Sequence, residues 1–307
     1  MDATPGEDEQ AKGGERQDVA GAPPPMDGRL ARYHPLSRET SRRCCPCVDC
    51  ERNIYASKCI IITFCSGISL ILLRFKEGLG LDKQKYLLDE VKRIEDLKRY
   101  EYEAYNKGFQ YIAGIDEAGR GPIAGPVMAA AVILSRNFFC PGINDSKKLS
   151  ALKRSKLAEE IKKQAISWSV AAVFPSYLDK VNILNATREA MLLAVKNLSP
   201  RPEYLLIDAV QLPDIDIKQY PLIKGDSLSV SIAAASILAK VERDRVMEAF
   251  DSLYPGYGFS RHKGYATREH LQSLLRLGAC ALHRVSFEPV KSMVLGARYG
   301  EQPALFE

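Results

Sequence analysis

The fold and chemistry of this chain are indicated most clearly by residues 111–121, Tyr111-Ile112-Ala113-Gly114-Ile115-Asp116-Glu117-Ala118-Gly119-Arg120-Gly121. An apolar, strand-like run ends in two adjacent carboxylates, and a Gly-Arg-Gly turn follows them. A buried charge without a partner is very costly, or else the group becomes protonated. The acidic pair therefore predicts a positive partner at this strand end, which can be a divalent cation, basic side chains or both. Such a site is a candidate for phosphoryl chemistry.

Two more acids follow strand-like runs further along the chain. Asp208 ends the run Tyr204–Asp208, and Asp226 follows the run Gln219–Lys224. Strands of one sheet can end at a common edge, so these acids could converge with Asp116 and Glu117. Four oxygen donors without clustered His or Cys favour Mg²⁺ or Mn²⁺ over zinc. Two such ions about 4 Å apart can bind the attacking water and the leaving oxygen of a phosphodiester displacement.

Each acid also has a purely structural explanation. Asp226 precedes a predicted helix and could be its N-cap. Asp208 could be a turn residue, and the pair Asp116–Glu117 could simply bind Arg120. One shared site accounts for all four acids at once, so we predict that Asp116, Glu117, Asp208 and Asp226 are catalytic metal ligands.

The Gly119-Arg120-Gly121 turn suggests a ligand contact made by the backbone. Its spacing, G-x-G-x-x-x-G, and the β-rich run after it exclude a dinucleotide-binding motif, in which a helix follows the glycines. The glycines would instead let backbone N–H groups approach a ligand closely. Arg120 can contact a phosphate or pair with an acid.

Lys147 and Lys148 lie in the polar loop Asp145–Ser150. Two cations in such a loop suit contacts to phosphates. A solvated loop that caps the next helix explains the same residues, and the sequence leaves both interpretations open.

Residues 257–265 interleave aromatic and basic side chains. Such a segment can stack on a sugar or base while it holds phosphates. Lys263 and Tyr265 are the candidates for these contacts. Tyr257 and Phe259 are equally well explained as core aromatics.

The rest of the pattern from about Phe75 onward predicts an α/β fold. Residues Tyr111–Asp116 and Val127–Leu134 look like a hairpin with a long loop. Small residues at the start of a long helix, among them Ala233–Ser236 and Ala239, would allow close approach to a sheet. The other predicted elements are an amphipathic helix at Asp82–Tyr105, helices at Lys153–Ile166, Thr187–Leu198, Ser227–Leu253 and Thr267–Leu277, and strands at Trp168–Phe174, Tyr204–Asp208 and Gln219–Lys224.

The first 73 residues differ in amino-acid composition from the rest of the chain. Residues 1–30 are rich in Gly, Pro and Ala and predict disorder. Six of the eight cysteines lie between Cys44 and Cys65. Cys47 and Cys50 have C-x-x-C-like spacing, but a zinc site would need a second pair. The apolar run Cys59–Leu73 is shorter than the roughly 20 residues of a membrane span, and fits a buried helix, a membrane-associating segment or upstream sequence.

From about Phe75 to the C-terminus, the chain resembles the bacterial ribonuclease HII family. The resemblance rests on long motifs in the family's order and spacing. They are Gly114-Ile-Asp-Glu-Ala-Gly-Arg-Gly-Pro-Ile-Ala-Gly-Pro-Val, Asp145-Ser-Lys-Lys-Leu-Ser, Leu206-Ile-Asp208, Lys224-Gly-Asp226-Ser, Ser231-Ile-Ala-Ala-Ala-Ser-Ile-Leu-Ala-Lys240-Val-Glu-Arg-Asp244 and Tyr257-Gly-Phe-Ser-Arg-His-Lys-Gly-Tyr-Ala-Thr267. Residues 1–73 match nothing in that family.

The resemblance implies a ribonuclease-H-like α/β fold, with a central mixed sheet, flanking helices and a C-terminal helical portion behind a disordered N-terminal extension. It implies an endonuclease that cuts the RNA strand of RNA–DNA hybrids and cuts 5′ of single ribonucleotides in duplex DNA, in ribonucleotide removal. The products carry 3′-hydroxyl and 5′-phosphate ends. It matches the four acids to the family's Mn²⁺ or Mg²⁺ ligands.

The same resemblance matches the glycine turn to a sensor of the ribose 2′-hydroxyl, which distinguishes RNA from DNA. It matches Tyr265 to a tyrosine that stacks on the adjoining deoxyribose. We expect four regions: an unassigned extension at 1–73, a helical lead-in at 74–108, a catalytic domain at 109–300 and a tail at 301–307. We also expect a cytoplasmic monomer with no organic cofactor and no membrane association of residues 59–73.

Two other functions remain open on the sequence. A non-catalytic nucleic-acid-binding protein could use the same scaffold, although carboxylates facing phosphates would not help it bind. A membrane-tethered adaptor would have its functional part in residues 31–73. The net charge of +5 is only weak evidence for an anionic partner.

Overall fold

The computed structural model of the chain describes residues 59–62, 71–74 and 81–299. The predictions for residues 1–30, for the cysteines at positions 44–50 and for the tail 301–307 lie outside the described residues. In chain order the elements are β1 (Cys59–Ile62), β2 (Ile71–Arg74), α1 (Leu81–Leu97), α2 (Arg99–Asn106), β3 (Ile112–Ala118), β4 (Val127–Leu134), α3 (Ala151–Gln164), β5 (Ala165–Val173), α4 (Pro175–Val181), α5 (Ile183–Lys196), β6 (Tyr204–Asp208), β7 (Lys218–Leu222), α6 (Val230–Leu253), α7 (Phe259–His262), α8 (Arg268–Leu277) and α9 (Val290–Tyr299).

A five-stranded sheet in the order β5-β4-β3-β6-β7 organises the molecule. β3 and β4 form an antiparallel pair, which confirms the predicted hairpin, and β5 pairs antiparallel with β4. β6 runs parallel to β3, and β7 runs parallel to β6. The sheet is mixed, as predicted, and the carboxyl ends of β3, β6 and β7 meet at one edge.

Helices cover both faces of this sheet, and β4 shows this most clearly because all eight of its residues are buried. Its even-numbered positions, 128–134, pack with α3 and α6 in one core cluster. Its odd-numbered positions, 127–133, pack with α5 in a second cluster. A central strand that is buried on both faces reads as a continuous apolar run, which is why the alternation of polar residues is missing from it.

Helix α6 lies directly against β3. The small residues predicted to allow close approach, Ala233–Ser236 and Ala239, are all buried. A side chain at Gly114 of β3 would overlap the backbone of Ser231. This contact brings the segment just before α6, residues 225–229, to the strand end that carries Asp116.

The apolar run Cys59–Leu73 is not a helix in its described parts. β1 pairs antiparallel with β2, with Cys59 opposite Arg74 and Ile62 opposite Ile71. Runs of isoleucine and leucine suit strands as well as buried helices, so length and hydrophobicity alone could not separate the two. No helix among the described residues is both long and apolar enough to span a bilayer.

Several predicted element limits differ from the structure, and two of the differences have local causes. The single helix predicted at Asp82–Tyr105 is two helices, which break at Lys98 without a glycine or proline to signal it. The structure also has a short helix, α4, where the sequence analysis placed none. It begins at Pro175 and is separated from α5 by Asn182, whose positive φ of 71° ends one helix while its side chain caps the next.

Candidate active site

Asp116 and Asp208 lie side by side because their strands are parallel and in register. Ile115 pairs with Ile207, so the next residue of each strand is an acid at the same edge. Asp116 is buried, and one of its carboxylate oxygens, Oδ1, accepts a hydrogen bond of 2.7 Å from the backbone N–H of Glu117. The strand ends predicted to converge therefore do converge.

Asp226 reaches the same edge through a tight turn. Lys224 adopts a left-handed conformation with φ of 58°, and residues Gly225–Ser227 form a single 3₁₀ turn. The N–H of Gly225 donates a 2.7 Å hydrogen bond to Oδ1 of Asp208, which ties the turn to β6. The N-cap of α6 is Ser229, so the interpretation of Asp226 as that cap was wrong.

The acids act on one another electrostatically. Burial raises the pKa of Asp116 well above its usual value, and the charges of Glu117, Asp208 and Asp226 raise it further. Burial also raises the pKa of Glu117, although Arg120 and Lys147 oppose this effect. One oxygen of Glu117, Oε2, is buried without a hydrogen-bond partner. Without a cation, this group of carboxylates is under mutual repulsion.

A fifth acid, Asp145, was not among the predicted site residues. Burial raises the pKa of Asp226, and the next largest causes are the charges of Asp145 and Asp208. Asp145 also accepts a 2.9 Å hydrogen bond from the N–H of Lys147, which fixes the loop that carries the lysines. The sequence drew attention to this loop for its cations and gave no sign that its acid would face Asp226.

The predicted basic residues have different surroundings. Arg120 donates a 3.4 Å hydrogen bond to Glu117, so the predicted acid pairing of this arginine is present. Lys147 is exposed, and its charge lowers the pKa of both Glu117 and Asp226, which places it beside the acids. Lys148 instead faces a groove of about 970 Å³ along α1 and α2.

Two buried arginines hold the glycine turn from the inside of the protein. Arg284 donates hydrogen bonds to the carbonyl oxygens of Gly119 (2.6 Å), Arg120 (2.9 Å) and Gly125 (2.9 and 3.0 Å). The C=O and N–H of one trans peptide point in opposite directions. The N–H groups of Arg120 and Gly121 are therefore directed away from Arg284, and both residues are exposed.

Arg243 of α6 supports the same region from the other side. It donates hydrogen bonds to the carbonyl oxygens of Pro126 (3.0 Å), Lys263 (2.9 Å) and Ala124 (3.2 Å). Within the described residues neither guanidinium has a carboxylate at ion-pair distance. Burial and the charge of Arg243 lower the pKa of Arg284 to about 9. Neither arginine was predicted as a site residue, since nothing in their spacing distinguishes a buried arginine from a surface one.

Tyr265 stands at the rim of the glycine turn. The N–H groups of Ile123 and Ala124 donate hydrogen bonds of 2.9 and 3.2 Å to the carbonyl oxygen of Gly264. This contact joins the two segments, and a Cβ atom on Gly121 would lie 3.9 Å from Cε1 of Tyr265. Tyr265 is 46% exposed, so it is available to a ligand on that side.

The other aromatic and basic residues of this segment are occupied within the protein. Tyr257 and Phe259 are buried, which confirms their interpretation as core aromatics. Lys263 donates hydrogen bonds of 2.6 Å to Glu248 and to the carbonyl oxygen of Ser260. Its predicted contact to a polyanion would have to compete with that ion pair.

A sequence model described as Ribonuclease HII matches residues 113–290, which contain all four predicted ligands. The chain belongs to the ribonuclease HII family. Members of this family are nucleases of the hydrolase class, so the chain is an enzyme. The predicted recognition, fold class and enzyme class are confirmed.

Curated ribonuclease HII proteins resemble the chain closely. One from Syntrophomonas wolfei is 97% identical over 233 residues, which is 76% of this chain and 91% of that protein. One from Caldanaerobacter subterraneus is 54% identical over 202 residues, covering 66% of this chain and 84% of that protein. The crystal structure of a ribonuclease H2 from Pyrococcus horikoshii covers 62% of this chain and 100% of its own, with TM-score 0.52 and 23% identity, and supports the fold alone.

The site chemistry of this ribonuclease HII chain fits a divalent cation. The donors are hard carboxylate oxygens, and one of them, Glu117 Oε2, is buried and unpaired. In the described part of the chain, however, no three His, Cys, Asp or Glu side chains converge into a preformed metal site. Carboxylates that share one sheet edge repel one another, and a bound cation would offset this repulsion.

Proposed function

We propose that the chain is an endoribonuclease that hydrolyses the RNA strand of RNA–DNA hybrids and cuts 5′ of single ribonucleotides in duplex DNA. The products would carry 3′-hydroxyl and 5′-phosphate ends, and the enzyme would serve ribonucleotide removal. One observation carries the proposal: the acids of β3, β6 and the 225–227 turn lie beside a glycine turn whose N–H groups face outward. This arrangement supports the proposal because it sets acids suited to metal ions beside N–H groups suited to a ribose hydroxyl.

Asp116, Glu117, Asp208 and Asp226 are proposed to hold Mg²⁺ or Mn²⁺, in a two-ion arrangement. When bound, such ions activate the attacking water and stabilise the leaving oxygen. The protein keeps the carboxylates poised for this task. Gly225 holds Asp208 through its N–H, and the N–H of Glu117 holds Asp116. Lys147, beside the acids, is suited to a phosphate of the scissile strand.

Recognition of the sugar is proposed to come from the glycine turn and Tyr265. The outward N–H groups of Arg120 and Gly121 can hydrogen-bond a 2′-hydroxyl without reading base identity. The half-exposed ring of Tyr265 can lie flat against the next sugar, where an added hydroxyl would clash. The two contacts together would select a junction between RNA and DNA irrespective of sequence.

The proposal also covers the domain limits, the cellular setting and the oligomeric state of the enzyme. Residues 109–300 are proposed as the catalytic domain, behind a lead-in at 74–108. A reducing, cytoplasmic setting is supported by the free thiols of Cys140 and Cys280. A monomer without an organic cofactor is proposed because the acids and the glycine turn come from a single chain.

The decisive experiment is cleavage of an end-labelled DNA duplex that carries one ribonucleotide, with Mg²⁺, with Mn²⁺ and with chelator. We expect metal-dependent cutting on the 5′ side of the ribonucleotide. Asp116→Asn should reduce cutting to the level seen with chelator, because it removes a ligand. Above the raised pKa of Asp116, the same change should also raise the metal-free melting temperature, since it removes a repelled, buried charge.

Asp216→Asn is the matched control, because Asp216 is an exposed acid outside the site and its loss should change neither quantity. If Asp116→Asn kept full activity, Asp116 could not be an essential metal ligand. Cutting of a continuous hybrid without cutting at the single ribonucleotide would retain the nuclease and discard the sugar-recognition account. Salt-dependent binding without any turnover would favour a non-catalytic binder.

A further inference from the structure

Three buried histidines lie behind Tyr265, and the site described above does not use them. His262 and His270 stack with ring centroids 4.1 Å apart and an interplanar angle of 14°. His270 and His283 are joined by a 3.1 Å hydrogen bond between their Nε2 atoms. His270 and His283 are almost completely shielded from solvent. Neither residue was singled out by the sequence analysis.

The protonation of this pair follows from its partners. The backbone N–H of Cys280 donates to Nδ1 of His283 at 3.0 Å, so that nitrogen is an acceptor. A neutral imidazole then carries its proton on Nε2, which donates to Nε2 of His270. His270 must therefore carry its proton on Nδ1, and this N–H donates to the carbonyl oxygen of Tyr265 at 2.8 Å.

The result is one directed relay of hydrogen bonds, from the N–H of Cys280 through His283 and His270 to the carbonyl of Tyr265. Every donor has an acceptor, with no ring charge required. Burial lowers the pKa of His270 to about 4 and that of His283 to about 3, which keeps both rings neutral at physiological pH. His262 is satisfied separately, by Gly264 N–H and the carbonyl of Tyr257.

One end of the relay lies against the segment that follows the glycine turn, and the other end lies at Tyr265 on the rim of that turn. His283 forms an isolated antiparallel bridge with Ala124, and its neighbour Arg284 holds the carbonyls of the turn. The other end holds the backbone of Tyr265, whose ring faces Gly121. The relay therefore couples the two walls between which a sugar would lie.

We propose that His283 and His270 are positioning residues, which fix the backbone of Tyr265 and thereby the angle at which its ring meets the sugar beside the glycine turn. The inference rests on the proposed role of Tyr265. It predicts that the hydrogen bond from Nδ1 of His270 matters for selectivity, and that the bulk of the imidazole does not.

Two variants of His270 separate these contributions. Asparagine places an amide N–H where Nδ1 stands, so His270→Asn keeps the donor to Tyr265. Glutamine places its amide oxygen where Nε2 stands, so His270→Gln keeps the acceptor for His283 and loses that donor. Both remove the ring from the core. We expect His270→Gln to lower the ratio of junction to continuous-hybrid cleavage at least about fivefold, and His270→Asn to leave it within about twofold of wild type.

Tyr265→Ala sets the value of this ratio when the ring is absent, and His270→Gln should approach it. Equal ratios in the two His270 variants would overturn the inference. A structural readout decides the matter independently of catalysis. Long-range ¹⁵N–¹H spectra of the wild-type protein should show the Nδ1–H form of His270 and the Nε2–H form of His283.

The N–H of Thr267 donates a 2.8 Å hydrogen bond to the same carbonyl oxygen of Tyr265. The backbone amide resonances of Tyr265 and Thr267 should therefore move in His270→Gln and stay nearly unchanged in His270→Asn. The opposite tautomers, or equal shifts in both variants, would refute the relay. If the wild-type enzyme does not cut at the junction, the proposed function fails, and these spectra still decide whether the relay holds Tyr265.

Discussion

Gly119 and Gly121 lie two residues apart in one turn and serve different purposes. Gly119 has a φ of 93°, and a Cβ atom there would overlap the guanidinium of Arg243. Gly121 has open space on its outer side, and the nearest atom to an added Cβ is Cε1 of Tyr265 at 3.9 Å. The first glycine is therefore required by the fold, whereas the second keeps a ligand surface open.

This difference predicts opposite results for two alanine variants. Gly119→Ala should lower the free energy of unfolding by about 2 kcal/mol or more, through the left-handed backbone and the displaced arginine. Gly121→Ala should change that free energy by less than about 0.5 kcal/mol. It should nevertheless weaken cleavage at a single ribonucleotide about tenfold, since the added methyl group fills the space in which the sugar would lie.

Chemical denaturation and cleavage kinetics, measured on both variants, check this prediction. Equal losses of stability would contradict the distinct roles of the glycines. Unchanged cleavage by Gly121→Ala would show that the sugar lies elsewhere.

At the residue scale, the sequence predicted groups that act through their position at strand ends. Asp116 and Asp208 could be found because each ends an apolar run, and parallel pairing places such ends together. Arg284 and Asp145 could not be found in this way. Their roles depend on contacts with backbone or side chains far along the chain, and nothing in the local sequence pattern encodes those contacts.

At the element scale, helix α2 is bound to the beginning of α6 by one buried acid. Oε1 of Glu101 accepts hydrogen bonds from the hydroxyl of Ser229 (2.6 Å) and the N–H of Ser231 (3.0 Å). Ser229 is itself the N-cap of α6 and stands three residues after Asp226. The lead-in helix thus helps to hold the segment that carries the fourth acid.

We expect Glu101→Ala to destabilise the fold by about 1–3 kcal/mol, because it leaves two buried donors without an acceptor. It should also raise the Mg²⁺ concentration needed for half-maximal activity, since the Asp226 segment would loosen. Glu101→Gln is the matched control: its amide oxygen can accept both hydrogen bonds, and it should stay close to wild type in both measurements. Equal behaviour of the two variants in denaturation and metal titration would contradict this role.

The ends of a helix or strand could be predicted only where local sequence signals mark them. β6 agrees at both ends because a turn signal and an acid flank a short apolar run. The break between α1 and α2 has no such signal. Lys98 is buried there and its Nζ donates hydrogen bonds to Glu95 (2.7 Å) and to the carbonyl of Arg136 (3.2 Å), so tertiary contacts accompany the break.

At the scale of the whole molecule, two buried groups give stability an opposite dependence on pH. His270 has a folded pKa of about 4, below its usual 6.5, so the unfolded chain takes up this proton first. The contribution of neutral, buried His270 to the free energy of unfolding is complete above pH 6.5 and is lost as the pH falls toward 4. Asp116 has a raised pKa, so the metal-free fold takes up its proton first and gains stability as the pH falls through that pKa.

These two opposite pH dependences can be tested by measuring the free energy of unfolding of wild type and Asp116→Asn, without metal, between pH 7.5 and about pH 4.5. In both proteins the buried histidines should cost stability below pH 6.5, and only in the wild type should protonation of Asp116 offset part of that loss. The variant should be the more stable protein above the raised pKa of Asp116, where the wild-type carboxyl is a repelled charge. Its advantage should shrink as the pH falls, since the wild-type carboxyl becomes neutral within the fold. An advantage that is constant across this range would mean that the substitution acts through packing, and that Asp116 carries no destabilising charge in the metal-free enzyme.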